Sequence, residues 1–230
     1  MKRNIIRASL ILLISLLSFS SCSSKPTTKN KTILISGFEA FGGDTINPTE
    51  MIVNELPKTI KDVNIHTKVL PVEFIRSQEI LRNEYDTVKP DAVIMLGQAG
   101  GRSKITPETT ARNNMDGVDY PDNAGYEPNN VPVVENGPDK LKTRLPIDLI
   151  NAAINSIGVP SASSNNAGEY VCNCIFYSML HYVDEEIPTG FIHVPFIKEQ
   201  GHTDQYPYLE YQDIYNSIIQ AIKVVANTVK

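Results

Sequence analysis

Short unbroken apolar runs alternate along this chain with longer stretches whose apolar residues recur every three or four positions. Residues 32–36, 92–96 and 191–194 are continuous apolar runs and predict buried strands. Residues 64–70 alternate in polarity and predict a further strand, and residues 161–164 are a short strand candidate. Asn47-Pro48 supplies an N-cap followed by Pro at the first helical position, opening a helix to about Leu56. Residues 73–85, 146–157 and 171–183 carry helical spacing. Ile214, Ile218, Ile219, Ile222 and Val225 stripe a C-terminal helix. Strands alternating with helices imply an α/β fold, a largely parallel sheet covered on both faces. Ligands of such sheets gather at the carboxyl ends of the strands. Residues 102–138 interrupt the pattern with a polar stretch rich in Asn, Asp, Gly and Pro, and a loop of that length is usually functional.

The first residues do not belong to this pattern. Lys2, Arg3 and Arg7 precede a mostly apolar segment, residues 8–17, shorter than the roughly 20 residues needed to span a bilayer. Ser18, Ser20 and Ser21 then lead to Cys22. This predicts a signal peptide of lipoprotein type over residues 1–21, with Cys22 as the lipidated residue. Phe19 departs from it, standing where such signals usually carry Leu. Residues 22–31 are polar with one Pro and predict a flexible tether. Residues 32–230 are then one domain of about 200 residues, enough for a sizeable core. The expected location is extracytoplasmic, anchored to a membrane by lipid.

Hydrophobic residues make up 41% of the chain, ordinary for a globular protein. The net charge is −5, and removing residues 1–21 would take three positive charges with them, to −8. With no basic run, nucleic acid is excluded as an expected partner. The three cysteines, Cys22, Cys172 and Cys174, are too few for a disulfide scaffold once Cys22 is lipidated.

Cys172 sits where a polar loop gives way to the helix at 171–183. The helix dipole and unpaired first-turn N–H groups there favour thiolate, the form that attacks carbonyls. His193 is the one ionisable group in the apolar run 190–196. A Cys and a distant His form a nucleophile–base pair if the fold joins them; otherwise they are a buried structural thiol and a core imidazole. His181 falls on the helix face opposite Cys172, His66 lies in a strand pointing away, and His202 is in a polar loop expected to be exposed. Cys172-Asn173-Cys174 lacks the spacing of a zinc site, so no metal is expected and Cys174 should face the core. Glu39, Glu73, Glu108, Asp116 and Glu169 all remain open as the carboxylate that would hold the imidazole. The glycine-rich stretches 37–43 and 97–101 lack the spacing of phosphate cradles. Phe38 and Phe41 suit a small, flat, uncharged ligand, or pack beneath their loop.

Several segments taken together resemble the pyroglutamyl-peptidase I (pyrrolidone-carboxylate peptidase) family. They are Gly37-Phe38-Glu39-Ala40-Phe41-Gly42-Gly43 with Ile46-Asn47-Pro48, then Gly97-Gln98-Ala99-Gly100-Gly101-Arg102 and Ile105-Thr106-Pro107-Glu108. Pro121-Asp122-Asn123-Ala124-Gly125, Tyr170-Val171-Cys172-Asn173 and Gly190-Phe191-Ile192-His193-Val194-Pro195 follow in the family's order. The resemblance implies a catalytic triad of Cys172, His193 and Glu108. It implies an aromatic pyroglutamate pocket at Phe38 and Phe41, with Gln98 in the adjacent turn. It also implies a three-layer α/β/α sandwich with a mostly parallel, mixed central sheet. Such enzymes are usually cytoplasmic tetramers without cofactors, so no cofactor is expected and a homo-oligomer is allowed. The expected function is a cysteine exopeptidase acting on pyroglutamyl peptides through a thioester. The alternatives are another thiol hydrolase on the same triad, an amidase or thioesterase, or an inactive surface-anchored binding protein. Thr109 stands where the family commonly has Arg, residues 112–120 fit poorly, and Cys174 stands where His is common.

Overall fold

The computed structural model describes residues 31–229. The expected signal peptide, Cys22 and the expected tether as far as residue 30 lie outside the described residues. Lys31, which the sequence assigns to the end of the tether, is already part of the fold. Its Nζ donates to Val229 O at 2.6 Å, and its carbonyl accepts from Asn64 N at 2.8 Å.

The central sheet forms from six strands: β1 (Thr32–Phe38), β2 (Thr59–Ile60), β3 (Val63–Leu70), β4 (Ala92–Gln98), β5 (Thr106–Pro107) and β8 (Thr189–Val194). Their order is β2-β3-β1-β4-β8-β5. The four inner strands are parallel, and the two-residue edge strands β2 and β5 run antiparallel to their neighbours. Alternate residues of each inner strand feed opposite cores, which is why these strands read as continuous apolar runs. Ile33, Ile35, Ile94 and Ile192 pack with α1 (Pro48–Glu55), α3 (Ile147–Ser156) and α5 (Tyr211–Ala226). Leu34, Val93, Met95 and Phe191 pack on the other face with α2 (Phe74–Val88) and α4 (Val171–Tyr182). The result is the expected α/β/α sandwich with a mostly parallel, mixed sheet.

The helix starts follow local chemistry. Asn47 Oδ1 accepts from Thr49 N at 2.9 Å and Pro48 sits at N1, so α1 opens where the sequence places it. The cap of α2 arrives from far along the chain. Asp122 Oδ2 accepts from Phe74 N at 2.9 Å, while the residue at the N-cap itself, Glu73, makes no side-chain cap bond.

Three sequence expectations are corrected. β1 and β4 each run two residues beyond their apolar runs, because Phe38 pairs with Leu70 and Gln98 with Val194. Phe38 and Gln98 are therefore strand ends rather than loop or turn residues. Residues 161–164 are not a strand, since they make only isolated bridges, Ile105 to Ser161 and Glu108 to Ser164. The stretch 102–138 is not a free loop. It contributes β5 to the sheet, and β6 (Thr110–Arg112) pairs with β7 (Lys140–Lys142). Buried Asn173 of α4 ties it down: Oδ1 accepts from Arg112 N, and Nδ2 donates to Arg112 O and Asn114 O, all at 2.9 Å. Beyond β8 the short strands β9 (Phe196–Ile197) and β10 (Tyr208–Leu209) pair with each other, on either side of a 3₁₀ turn at Lys198–Gln200.

From β1 the chain moves outward to β3, then returns to place β4 on the other side of β1. Strand order reverses between β1 and β4. Their carboxyl ends flank the crevice that open α/β sheets offer to ligands.

Candidate active site

Cys172 is the second residue of α4, and its sulfur lies against the backbone of β4. A Cβ on Gly97 would come within 2.8 Å of Cys172 Sγ and 2.6 Å of the Phe191 ring. Only the missing side chain of Gly97 lets the helix end approach the strand so closely. Gly97 is register-paired with His193 on β8, which faces the same side of the sheet as Phe191. The β5 edge strand pairs Thr106 with His193, and Glu108 N donates to Phe191 O at 2.9 Å just beyond it. That pairing sets Glu108 beside the imidazole: His193 Nδ1–H donates to Glu108 Oε1 at 2.8 Å. With Nδ1 so engaged, the Nε2 lone pair is left as the basic atom.

Both members of this pair are sealed from water, Glu108 at 0% and His193 at 2% exposure. Burial by itself would raise the Glu108 carboxyl. The hydrogen bond and charge of His193, with the Arg102 guanidinium, pull it below the ordinary carboxylate value instead. Arg102 Nη1 donates to Glu108 Oε1 at 2.7 Å and also to Thr106 Oγ1, and Nη2 donates to Asn166 O at 3.0 Å. The Ser164 side chain lowers the Glu108 carboxyl further. Burial lowers His193 below its ordinary value, and Glu108 only partly restores it. Burial also pushes the Cys172 thiol up to about 12, against the opposing pull of Arg102. That upward push opposes the pull of the helix end toward thiolate.

These groups open on a cavity of about 390 Å³ at the carboxyl ends of β1 and β4. Cys172, His193, Phe38, Phe41, Gln98 and Tyr170 line it. Phe38 is buried and Phe41 half-buried, so the wall they make is apolar and uncharged. Tyr170, the cap residue of α4, makes no side-chain cap bond, which leaves first-turn N–H groups of α4 free to hold an anion.

The other candidates lie elsewhere. Cys174 is fully buried, with its sulfur accepting from Gln78 Nε2 at 3.1 Å, and burial raises its thiol far above the ordinary value. His66 pairs with Glu84 at 2.6 Å, and His181 stacks on Tyr177. His202 is less exposed than expected, because Asp44 Oδ1 holds its Nε2 at 2.7 Å and Phe196 packs on its ring. Glu39 accepts from Asn123, Asp116 from Val118 N, and Glu169 faces Arg112. Glu73 begins α2. Among the described residues, none of these four is hydrogen-bonded or ion-paired to His193. Arg102 and Asn173 were given no role by the sequence reading. The signal for Arg102 was its position directly after the second glycine-rich loop. Among the described residues, no three His, Cys, Asp or Glu side chains are grouped to hold a metal ion.

A family model for pyroglutamyl peptidase matches residues 31–228. The pyrrolidone-carboxylate peptidase of Thermococcus onnurineus is 41% identical over 199 residues, covering 85% of this chain and 97% of its own. That of Lactobacillus johnsonii is 40% identical, covering 84% and 91%. Among solved structures, pyroglutamyl peptidase I from Bacillus amyloliquefaciens is similar with a TM-score of 0.81 at 35% identity, covering 86% of this chain and 96% of that one. A mutant pyrrolidone carboxyl peptidase from Pyrococcus furiosus reaches 0.83 at 35% identity, covering 86% and 100%.

Proposed function

The chain belongs to the pyroglutamyl peptidase family, and we propose that it is a cysteine exopeptidase that removes an N-terminal pyroglutamyl residue from peptides through a thioester on Cys172. His193 Nε2 takes the thiol proton as Sγ attacks the carbonyl that links pyroglutamate to the next residue. The N–H groups at the start of α4 hold the oxyanion. His193 then gives its proton to the leaving amine, and water, deprotonated by the same imidazole, hydrolyses the thioester. Glu108 keeps Nδ1 protonated and steadies the imidazolium that forms in each step. Phe38 and Phe41 sandwich the lactam ring, and Gln98 lies at its polar edge. A free N-terminus would bring an ammonium into an apolar wall at a cost of several kcal/mol, so the blocked residue is preferred.

The observation that carries this reading is one arrangement: Cys172 Sγ against Gly97, Gly97 paired with His193, and His193 held by buried Glu108, beside an uncharged aromatic cavity. The low basicity of His193 and the high value of Cys172 support proton transfer during attack over a standing ion pair. The test is release of chromophore from a pyroglutamyl amide, set against an acyl ester and a prolyl amide. Preference for the pyroglutamyl amide is expected. Faster turnover of the ester would point to a thioesterase and sink the peptidase assignment.

We propose further that residues 1–21 direct export and that Cys22 carries a lipid, so the enzyme works outside the cytoplasm on peptides arriving there. The charged start, the short apolar segment and the small residues before Cys22 support this.

A further inference from the structure

Gln98 presents an amide at the cavity, and an amide can offer either donors or an acceptor. Which it offers is decided by a residue that does not line the cavity. Gln200, in the turn after β9, reaches back to the end of β4, and its Nε2 lies 2.8 Å from Gln98 Oε1. The same nitrogen lies 3.0 Å from Asp44 Oδ2 and 3.3 Å from Ile46 O. A carboxylate and a backbone carbonyl can only accept, so the group between them must be the –NH₂ end of Gln200. The other end agrees, since Gln200 Oε1 accepts from Ile197 N at 3.0 Å. With Gln200 fixed in this sense, the Gln98 atom facing it must be the carbonyl oxygen. The Gln98 –NH₂ is then turned away from Gln200, without an acceptor among the described residues, on a residue that lines the cavity. His202 anchors the chain of contacts through its 2.7 Å bond to Asp44, and Phe196 packs both on His202 and over Gly100.

We propose that Gln200 is a positioning residue that locks the Gln98 amide with its N–H groups toward the cavity, so that this wall selects a ligand carbonyl oxygen, the ring carbonyl of the lactam. The inference rests on the peptidase reading and adds to it a source of specificity. A prolyl ring has the same size but no carbonyl, and it would leave those donors buried and unpaired.

Two variants test it. Gln200→Glu replaces the two donors with an acceptor facing Asp44 and frees Gln98 to turn over. Gln98→Glu keeps an oxygen for Gln200 but shows another oxygen to the cavity. Each is assayed on a pyroglutamyl amide, and by protection of Cys172 from iodoacetamide with 2-pyrrolidone, the bare lactam. For Gln200→Glu, KM should rise about tenfold or more with kcat within about threefold. Lactam protection should weaken in parallel, while the alkylation rate without lactam stays at the wild-type value. Gln98→Glu should lose lactam protection likewise. Wild-type KM and protection in both variants would overturn the proposal. So would a fall in kcat in Gln200→Glu matched by a changed unprotected alkylation rate, which would mark a disturbed catalytic centre. A wild-type enzyme that neither cleaves the pyroglutamyl amide nor is protected by 2-pyrrolidone would instead overturn the peptidase reading itself, and this inference with it.

Discussion

In the proposed mechanism Glu108 never meets the substrate carbonyl, yet it sets the pH at which His193 works. Burial lowers the imidazole's basicity, and the carboxylate 2.8 Å away offsets part of that loss. In Glu108→Gln the offset disappears while burial and the Arg102 charge remain, so His193 should become harder to protonate. The acid limb of kcat/KM, already below the ordinary histidine range, should therefore move to lower pH, while kcat falls about a hundredfold or more because nothing steadies the imidazolium. A pH–rate profile of the variant checks both. An acid limb displaced upward would show that another carboxylate supports His193. At this scale the sequence left five carboxylates open, and only the family resemblance singled out Glu108. Its partner strand is two residues long, and no periodicity can announce a strand that exists only through pairing with β8. The same holds for Gln200, whose role depends on three chain segments meeting.

The catalytic helix is an element held at both faces. Its Cys172 side rests on β4, while Asn173, one residue on, grips the backbone at Arg112 and Asn114 with three hydrogen bonds. Asn173→Ala would leave the half-buried peptide groups at 112 and 114 without these partners, at about 1 kcal/mol or more in total. The expected outcome is a lower denaturant midpoint, with protease cleavage first appearing within residues 113–138. Cleavage elsewhere at wild-type stability would show that the excursion is held by other contacts. The long elements were legible because their patterns are strong: β1, β4, β8 and the first four helices stand within a few residues of their expected bounds, and the C-terminal stripe lies within α5. The ends of β1 and β4 were not, because Phe38 and Gln98 extend strands by pairing after the apolar run stops. At Cys172 a sequence displays the helix start but not the burial that opposes thiolate there.

For the molecule as a whole, the export reading predicts where activity is found. Native enzyme should fractionate with membranes, and Cys22→Ser should be released as soluble, active protein, since residues 31–229 contain the entire cavity. Soluble native enzyme retaining residues 1–21 would sink the anchoring while leaving the peptidase assignment standing. A lipid-held peptidase outside the cytosol has no thioredoxin or glutathione beside it, and most catalytic thiols would age quickly there. Thiolate is the form that attacks peroxide and foreign disulfides, and burial pushes the Cys172 thiol up, so peroxide should inactivate the anchored enzyme slowly. The only other described cysteine, Cys174, is sealed on the α2 side and cannot serve as a resolving partner. In the proposed location, longevity would thus come from chemical reticence rather than from repair.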